Sequence, residues 1–455
     1  MSRIALFGSH VLTERDGVQH VLRDQWVLVE GNRIAAIQPG RPAADTHYEA
    51  PGRFLLPGLM NLHNHCFSEA VARSHTEDGN GRKNNQSIVY TVLMPLSKRG
   101  AELLSAEERM AVARLGVLQL LKGGATTVME PFRAGMAEMF DAALEMGLRF
   151  YGAPYIFSVD AKARPDGSVD YGMADSSESA FAEWNALHAK WEGAGNDRIR
   201  LAMSPHATDT CGPELLRAAH ARARELNVPF TTHLAQSPSE VATIQARHGC
   251  SPAEYLDRLG ILPGLLAAHA VSSSDSDLAL MAERGTVVLN CPRVFARSGT
   301  TASFARFAGA GIRTLVGTDG YNMDLLGEIN AAAIISKVTE HSATVATAPE
   351  LIDAITRHAA DAIHRPDLGR LVPGALADIT AVDMTHPHLQ PMHDPRRALV
   401  WLANRANIDL VMVDGRMILE NGNLPGFDEA ALTRAGAAAV EKIWALPEAQ
   451  AAFAG

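Results

Sequence analysis

Along the middle of the chain short apolar runs alternate with stretches of helical periodicity, which predicts a repeating strand–helix architecture. Eight runs have the length and composition of buried strands: residues 55–65, 126–130, 149–157, 199–206, 229–236, 265–271, 287–292 and 313–319. Residues 106–122 between the first two carry apolar side chains at helical spacing and stop at Gly123-Gly124, and residues 213–226 and 252–259 behave alike. Parallel strands joined through helices give an α/β fold, and eight of them predict a (β/α)8 TIM barrel.

The flanks have a different pattern. Residues 4–37 and 377–419 contain alternating strands, with hairpin-turn signals at Gly31-Asn32 and Asp414-Gly415. We expect a small β-sandwich made from both chain ends, with the barrel inserted between them. The predicted division is 1–54 and 376–425 for the sandwich and 55–375 for the barrel. An Ala-rich helical tail at 426–455 would pack on the barrel or on a second subunit. At 455 residues the chain exceeds a bare barrel of about 250, which leaves room for these modules.

A formal charge of −10 without a basic cluster argues against nucleic acid or an anionic membrane as partner and leaves a small molecule. No run is long enough to span a bilayer and the opening residues lack a signal-peptide core, so a cytoplasmic protein is expected. Cys66, Cys211, Cys250 and Cys291 form no CxxC pair; reduced, buried thiols are the default.

The chemistry enters at the strand ends. His63 and His65 close the first run one residue apart, so alternation puts them on one face, where they can share a metal ion. Later runs close on His206, His233, His269 and Asp319. Strand ends converge at one mouth of a TIM barrel, so these residues become neighbours. His386 and His388 flank Pro387 in a loop-like stretch and lack this context.

In Pro57-Gly58-Leu59-Met60-Asn61-Leu62-His63-Asn64-His65, Ser204-Pro205-His206-Ala207, His233-Leu234-Ala235-Gln236, His269 and Gly317-Thr318-Asp319-Gly320 the sequence resembles the amidohydrolase superfamily, in the branch of S-adenosylhomocysteine deaminases and triazine hydrolases. The resemblance implies that His63, His65, His233 and Asp319 bind one divalent metal, zinc or alternatively iron. The fourth run ends Met203-Ser204-Pro205-His206 without the lysine of binuclear relatives, which favours a single metal. Asp319 would move protons, and His269 would orient the nucleophile or polarise the electrophile. His206 and Asn290 would contact substrate. Glu130 could support a metal-bound histidine or be structural. A homodimer or homotetramer is also implied.

Two departures shape the expected reaction. Deaminases of this branch usually carry Glu where this chain has Gln236, and an amide cannot give and recover a ring proton. The segment 66–99, with Arg73 and His75, is expected to be a substrate lid and lacks the deaminases' Trp-Leu signature. The expected reaction is therefore hydrolysis of an amide, urea or carbamate-type C–N bond, with Gln236 a candidate catalytic hydrogen-bonding group. The alternative is an aminohydrolase or dechlorinase of a nitrogen heterocycle of purine, pterin or triazine type.

Overall fold

The computed structural model describes residues 2–49, 51–66, 94–132, 135–163, 169–173, 177–320, 322–447 and 449. Most of the expected lid, including Arg73 and His75, lies outside them.

All eight expected strands form, in order: Leu59–Asn61, Ala125–Phe132, Arg149–Ile156, the broken pair Ile199–Leu201 and Ser204–Pro205, Thr231–Leu234, Leu266–His269, Val287–Asn290 and Arg313–Val316. They pair in parallel as two four-membered arrays of TIM-barrel type, the first four strands in one and the last four in the other. The ladder is not continuous at either seam. Isolated parallel bridges, Met203 to Phe230 and Ala207 to His233 at one and Asn64 to Asp319 at the other, connect the arrays.

Alternation sorts the strand side chains into two cores. Met60, Met129, Tyr151, Ala153, Ala202, Leu266, Ala268, Val287, Leu289 and Leu315 fill the interior. Val128, Phe150, Leu201, Ala267, Val288 and Val316 belong to the larger outer core with the helices. The helices end where their sequence signals stand. Ala106–Lys122 starts on a Ser105–Glu108 capping box and stops at Gly123, while Pro213–Leu226 opens with proline and closes on left-handed Asn227.

The terminal segments pair across both chain ends as one hydrogen-bonded eight-stranded sheet, ordered Arg416–Glu420, Ile408–Val413, Ile379–Asp383, Arg53–Pro57, Arg3–Arg15, Val18–Glu30, Arg33–Gln38, with Thr46–Tyr48 beside Arg3–Arg15. Val27, Val29 and Ile34 from one end of that order share a core with Ile379, Leu410 and Met412 from the other. The run 55–65 departs from expectation, because it is not one strand. Arg53–Pro57 belongs to the terminal sheet, Gly58 donates its N–H to the Asp378 carbonyl at 2.8 Å, and only Leu59–Asn61 enters the barrel-type sheet. A Cβ at Gly58 would lie 2.1 Å from Thr126 Oγ1, so the crossover needs glycine.

The two turns read as hairpins from sequence pack on each other, with Asn32 Nδ2 donating to Asp414 Oδ1 at 2.9 Å. The tail forms helix Glu429–Trp444 against Ala106–Lys122, tied by Lys122 to Glu429 at 2.8 Å. Among the described residues no helix is long and apolar enough to cross a membrane. All four cysteines are buried and free.

Candidate metal centre

At the C-terminal ends of the barrel-type strands the chain brings His63, His65, His233, His269 and Asp319 together. The ligand atoms of His63, His65 and His233 lie within 4.8 Å of one another, and so do those of His63, His269, Cys291 and Asp319. Asp319 reaches His65 Nε2 with one oxygen at 3.4 Å and His269 Nε2 with the other at 3.5 Å. His63 is 1% exposed and neither ring nitrogen has a hydrogen-bond partner. Leaving a buried polar atom unpaired costs about 1–3 kcal/mol, so this imidazole fits a ligand and fits poorly as a packed core histidine.

His233 is set by its far nitrogen. Its Nδ1 donates to the His206 carbonyl at 2.6 Å, which fixes the tautomer and leaves the Nε2 lone pair for a cation. Imidazole and carboxylate donors of this kind suit zinc or iron. Burial keeps the imidazoles neutral, as ligands must be: the pKa values of His65 and His233 fall to about 4, and those of His63 and His269 lie well below the usual 6.5. Burial raises the Asp319 carboxyl to about 6, while the Gly320 N–H, donated to Oδ1 at 2.6 Å, opposes the rise.

Backbone strain marks two of these residues. His269 has φ +78° and Asp319 φ +56°, left-handed values that non-glycine residues avoid. Ala268 points into the interior core, so alternation would turn His269 away from it. The left-handed step at His269 and Ala270 lets the ring reach His63, with centroids 4.8 Å apart.

A buried polar chain braces the seam between the first and eighth strands. Asn61 Nδ2 donates to Thr318 Oγ1 at 2.7 Å, Thr318 Oγ1 donates to Asn64 Oδ1 at 3.1 Å, and Asn64 Nδ2 donates to Glu130. Glu130 also accepts the Cys66 N–H at 2.9 Å. Glu130 thus holds the turn that carries both histidines.

The remaining expectations divide. His206 is buried, with Nδ1 2.9 Å from Thr210 Oγ1 and its ring 4.9 Å from that of His233. Gln236 has its side-chain Nε2 buried without a partner, and its backbone N–H donates to Glu240 at 2.8 Å. Asn290 does not join the site. It shares strand parity with outward-facing Val288, and its Nδ2 donates to the Ala302 carbonyl at 3.2 Å, which corrects the substrate-contact expectation. Cys291, the next residue, faces the histidines instead; burial lifts its thiol well above the ordinary range.

Sequence reading missed Tyr155. Its hydroxyl lies 3.4 Å from His233 Nε2, and its ring meets those of His206, His233, Phe132 and Phe157 at 4.8–6.1 Å. Burial, then the Asp319 and Glu130 charges, hold its phenol protonated. The signal was available, because Tyr151, Ala153 and Tyr155 alternate along one strand face.

The chain is similar to known proteins over nearly its whole length. The amidohydrolase family model matches residues 54–418. The 5'-deoxyadenosine deaminase of Methanothermobacter thermautotrophicus is 30% identical over 420 residues, 89% of this chain and 91% of the relative. A 5-methylthioadenosine/S-adenosylhomocysteine deaminase of Natronomonas pharaonis is 30% identical over 444 residues, 95% and 96% of the two chains. Among solved structures, a zinc-bound adenosine deaminase from Xanthomonas campestris superposes with a TM-score of 0.85 at 24% identity, covering 97% and 99%. The zinc complex of an atrazine chlorohydrolase from Arthrobacter aurescens gives 0.85 at 23%, covering 96% and 100%.

Proposed function

The chain belongs to the amidohydrolase family, as a metal-dependent hydrolase of carbon–nitrogen bonds, and we propose that it is an aminohydrolase that releases ammonia from an amino-substituted nitrogen heterocycle. The observation that carries the reading is the buried, partnerless His63 among His65, His233 and Asp319, in a chain whose relatives over nearly its whole length are deaminases. This reverses the preference drawn from Gln236 alone.

His63, His65, His233 and Asp319 would hold one divalent cation, zinc or iron. Such a cation lowers the pKa of water from about 15.7 towards 7 and so supplies hydroxide at neutral pH. Asp319 would accept the proton of the attacking water and pass it to the leaving amino nitrogen. His269, 3.5 Å from Asp319, orients the attack. His206 lines the substrate side with Tyr155. Gln236 can offer an N–H to a ring nitrogen but no transferable proton.

That last point favours a second reading. A carbonyl carbon needs no ring protonation, so Gln236 is compatible with an amide, urea or carbamate substrate. The deciding experiment assays the zinc- and iron-loaded protein on aminopurine nucleosides, including 5'-deoxyadenosine and methylthioadenosine, and on aminotriazines, with ammonia as readout. Anilides, phenylureas and carbamates run in parallel with amine release as readout. Ammonia from a heterocycle is the expected result; amine from the carbonyl series alone would overturn it.

A further inference from the structure

We propose that Tyr155 is a catalytic hydrogen-bond donor that faces the reacting end of the substrate and supplies part of the stabilisation Gln236 cannot. The inference rests on the hydrolase reading of this site and deepens it.

Tyr155 is the inward-facing residue one layer above Tyr151 and Ala153, whose side chains fill the interior core. It therefore stands at the same height as the strand-end groups of the metal centre. Its ring is wedged edge-on against His206 at 4.8 Å and lies 5.7 Å from His233 and 6.2 Å from His65. Phe132 and Phe157 close the other sides at 6.1 and 5.8 Å. Packing from three strands fixes where the hydroxyl points, and a donor held in place before the reaction needs no reorganisation during it.

The hydroxyl's hydrogen-bond partner is His233 Nε2 at 3.4 Å, while His233 Nδ1 is already committed to the His206 carbonyl at 2.6 Å. A ring nitrogen has one lone pair. With His233 Nε2 engaged as a ligand, the phenol O–H has lost that acceptor and is free to donate elsewhere from its half-buried position. The acceptor then at hand is the group under attack: the ring nitrogen or oxygen on which negative charge collects. No covalent step is involved; the phenol keeps its proton and shares it.

Tyr155→Phe removes the donor and keeps the ring. We expect Y155F to fold and to bind metal at the wild-type stoichiometry, with kcat lowered about tenfold to a hundredfold and KM little changed. A readout independent of substrate identity is acetohydroxamate, whose anionic oxygen binds divalent cations in place of a reacting oxygen. Its affinity for the zinc-loaded protein should fall about tenfold in Y155F. Equal hydroxamate affinity, or loss of metal from Y155F, overturns the proposal; the latter would make Tyr155 a positioning residue for His233. Failure of every heterocycle to yield ammonia would overturn the aminohydrolase reading and leave the hydroxamate comparison intact.

Discussion

At the scale of single residues, Gln236 separates two chemistries that share one metal centre. If the substrate is a heterocycle, restoring a carboxylic acid there supplies a ring proton, and general acid catalysis is worth roughly 10²–10⁴ in rate. Gln236→Glu should therefore raise ammonia release at least about tenfold, measured as kcat/KM on whichever aminoheterocycle the wild type turns over. A lower rate would point to a carbonyl substrate, where a new negative charge opposes the developing oxyanion. The histidines carry a second prediction. In chelator-treated protein the unfolded imidazoles protonate near 6.5, whereas folded His65 and His233 do so near 4 and burial holds His63 and His269 well below 6.5. The unfolded state then binds more protons, so stability present above about 6.5 is lost as pH falls towards 4. Asp319 acts in the opposite sense. Its folded pKa of about 6 exceeds the ordinary 3.8, so its contribution is present below 3.8 and lost as pH rises through 6. Four imidazoles outweigh one carboxyl, and the denaturant midpoint of the metal-free protein should drop from about pH 7 to about pH 5. A flat or rising profile would contradict the buried-neutral assignment.

At the scale of elements, the site depends on how closely the eighth strand approaches the first. Gly317 and His63 pass with no room for a side chain: a Cβ on Gly317 would lie 2.8 Å from the His63 carbonyl oxygen and 3.0 Å from the His63 Cβ. The Thr318 and Asp319 N–H groups both donate to that carbonyl at 3.0 Å. Gly317→Ala should push the strands apart and weaken metal binding about tenfold or more without altering any ligand, at a stability cost of about 1–3 kcal/mol. Metal titration with denaturant unfolding checks both, and unchanged affinity would show that the seam can yield. The seam was only partly legible in the sequence. Gly317-Thr318-Asp319-Gly320 announced a strand end, but the brace from Asn61 through Thr318 and Asn64 to Glu130 joins residues up to 257 positions apart and has no local signature. Strand parity was legible, and it would have preferred Cys291 over Asn290 and picked out Tyr155. His269 was found by its place at a strand end and reaches the site through a left-handed backbone step that alternation cannot predict.

At the scale of the whole molecule, the terminal sheet is locked to the barrel-type sheet by a buried ion pair. Arg149, 1% exposed, donates to both oxygens of Asp378 at 2.9 and 3.1 Å, and Asp414 lies 3.8 Å away. Asp378 also accepts the Asp414 N–H at 2.8 Å, so one carboxylate joins the third barrel strand to the returning hairpin. Asp378→Ala leaves a buried guanidinium unpaired and should cost about 3–5 kcal/mol, read from denaturant unfolding with activity per folded molecule retained. A loss below about 1 kcal/mol would mean that Asp414 takes over the pairing. The sequence by itself determined the eight strands and their order, the helices between them, the tail helix and the convergence of His63, His65, His233, His269 and Asp319. These follow from local periodicity and from the rule that parallel strand ends converge. Only the tertiary structure decided the split of the first run at Gly58, the left-handed step that turns His269 towards His63 and the brace from Asn61 to Glu130. Each depends on backbone direction or on contacts between distant segments, which periodicity along the chain does not encode.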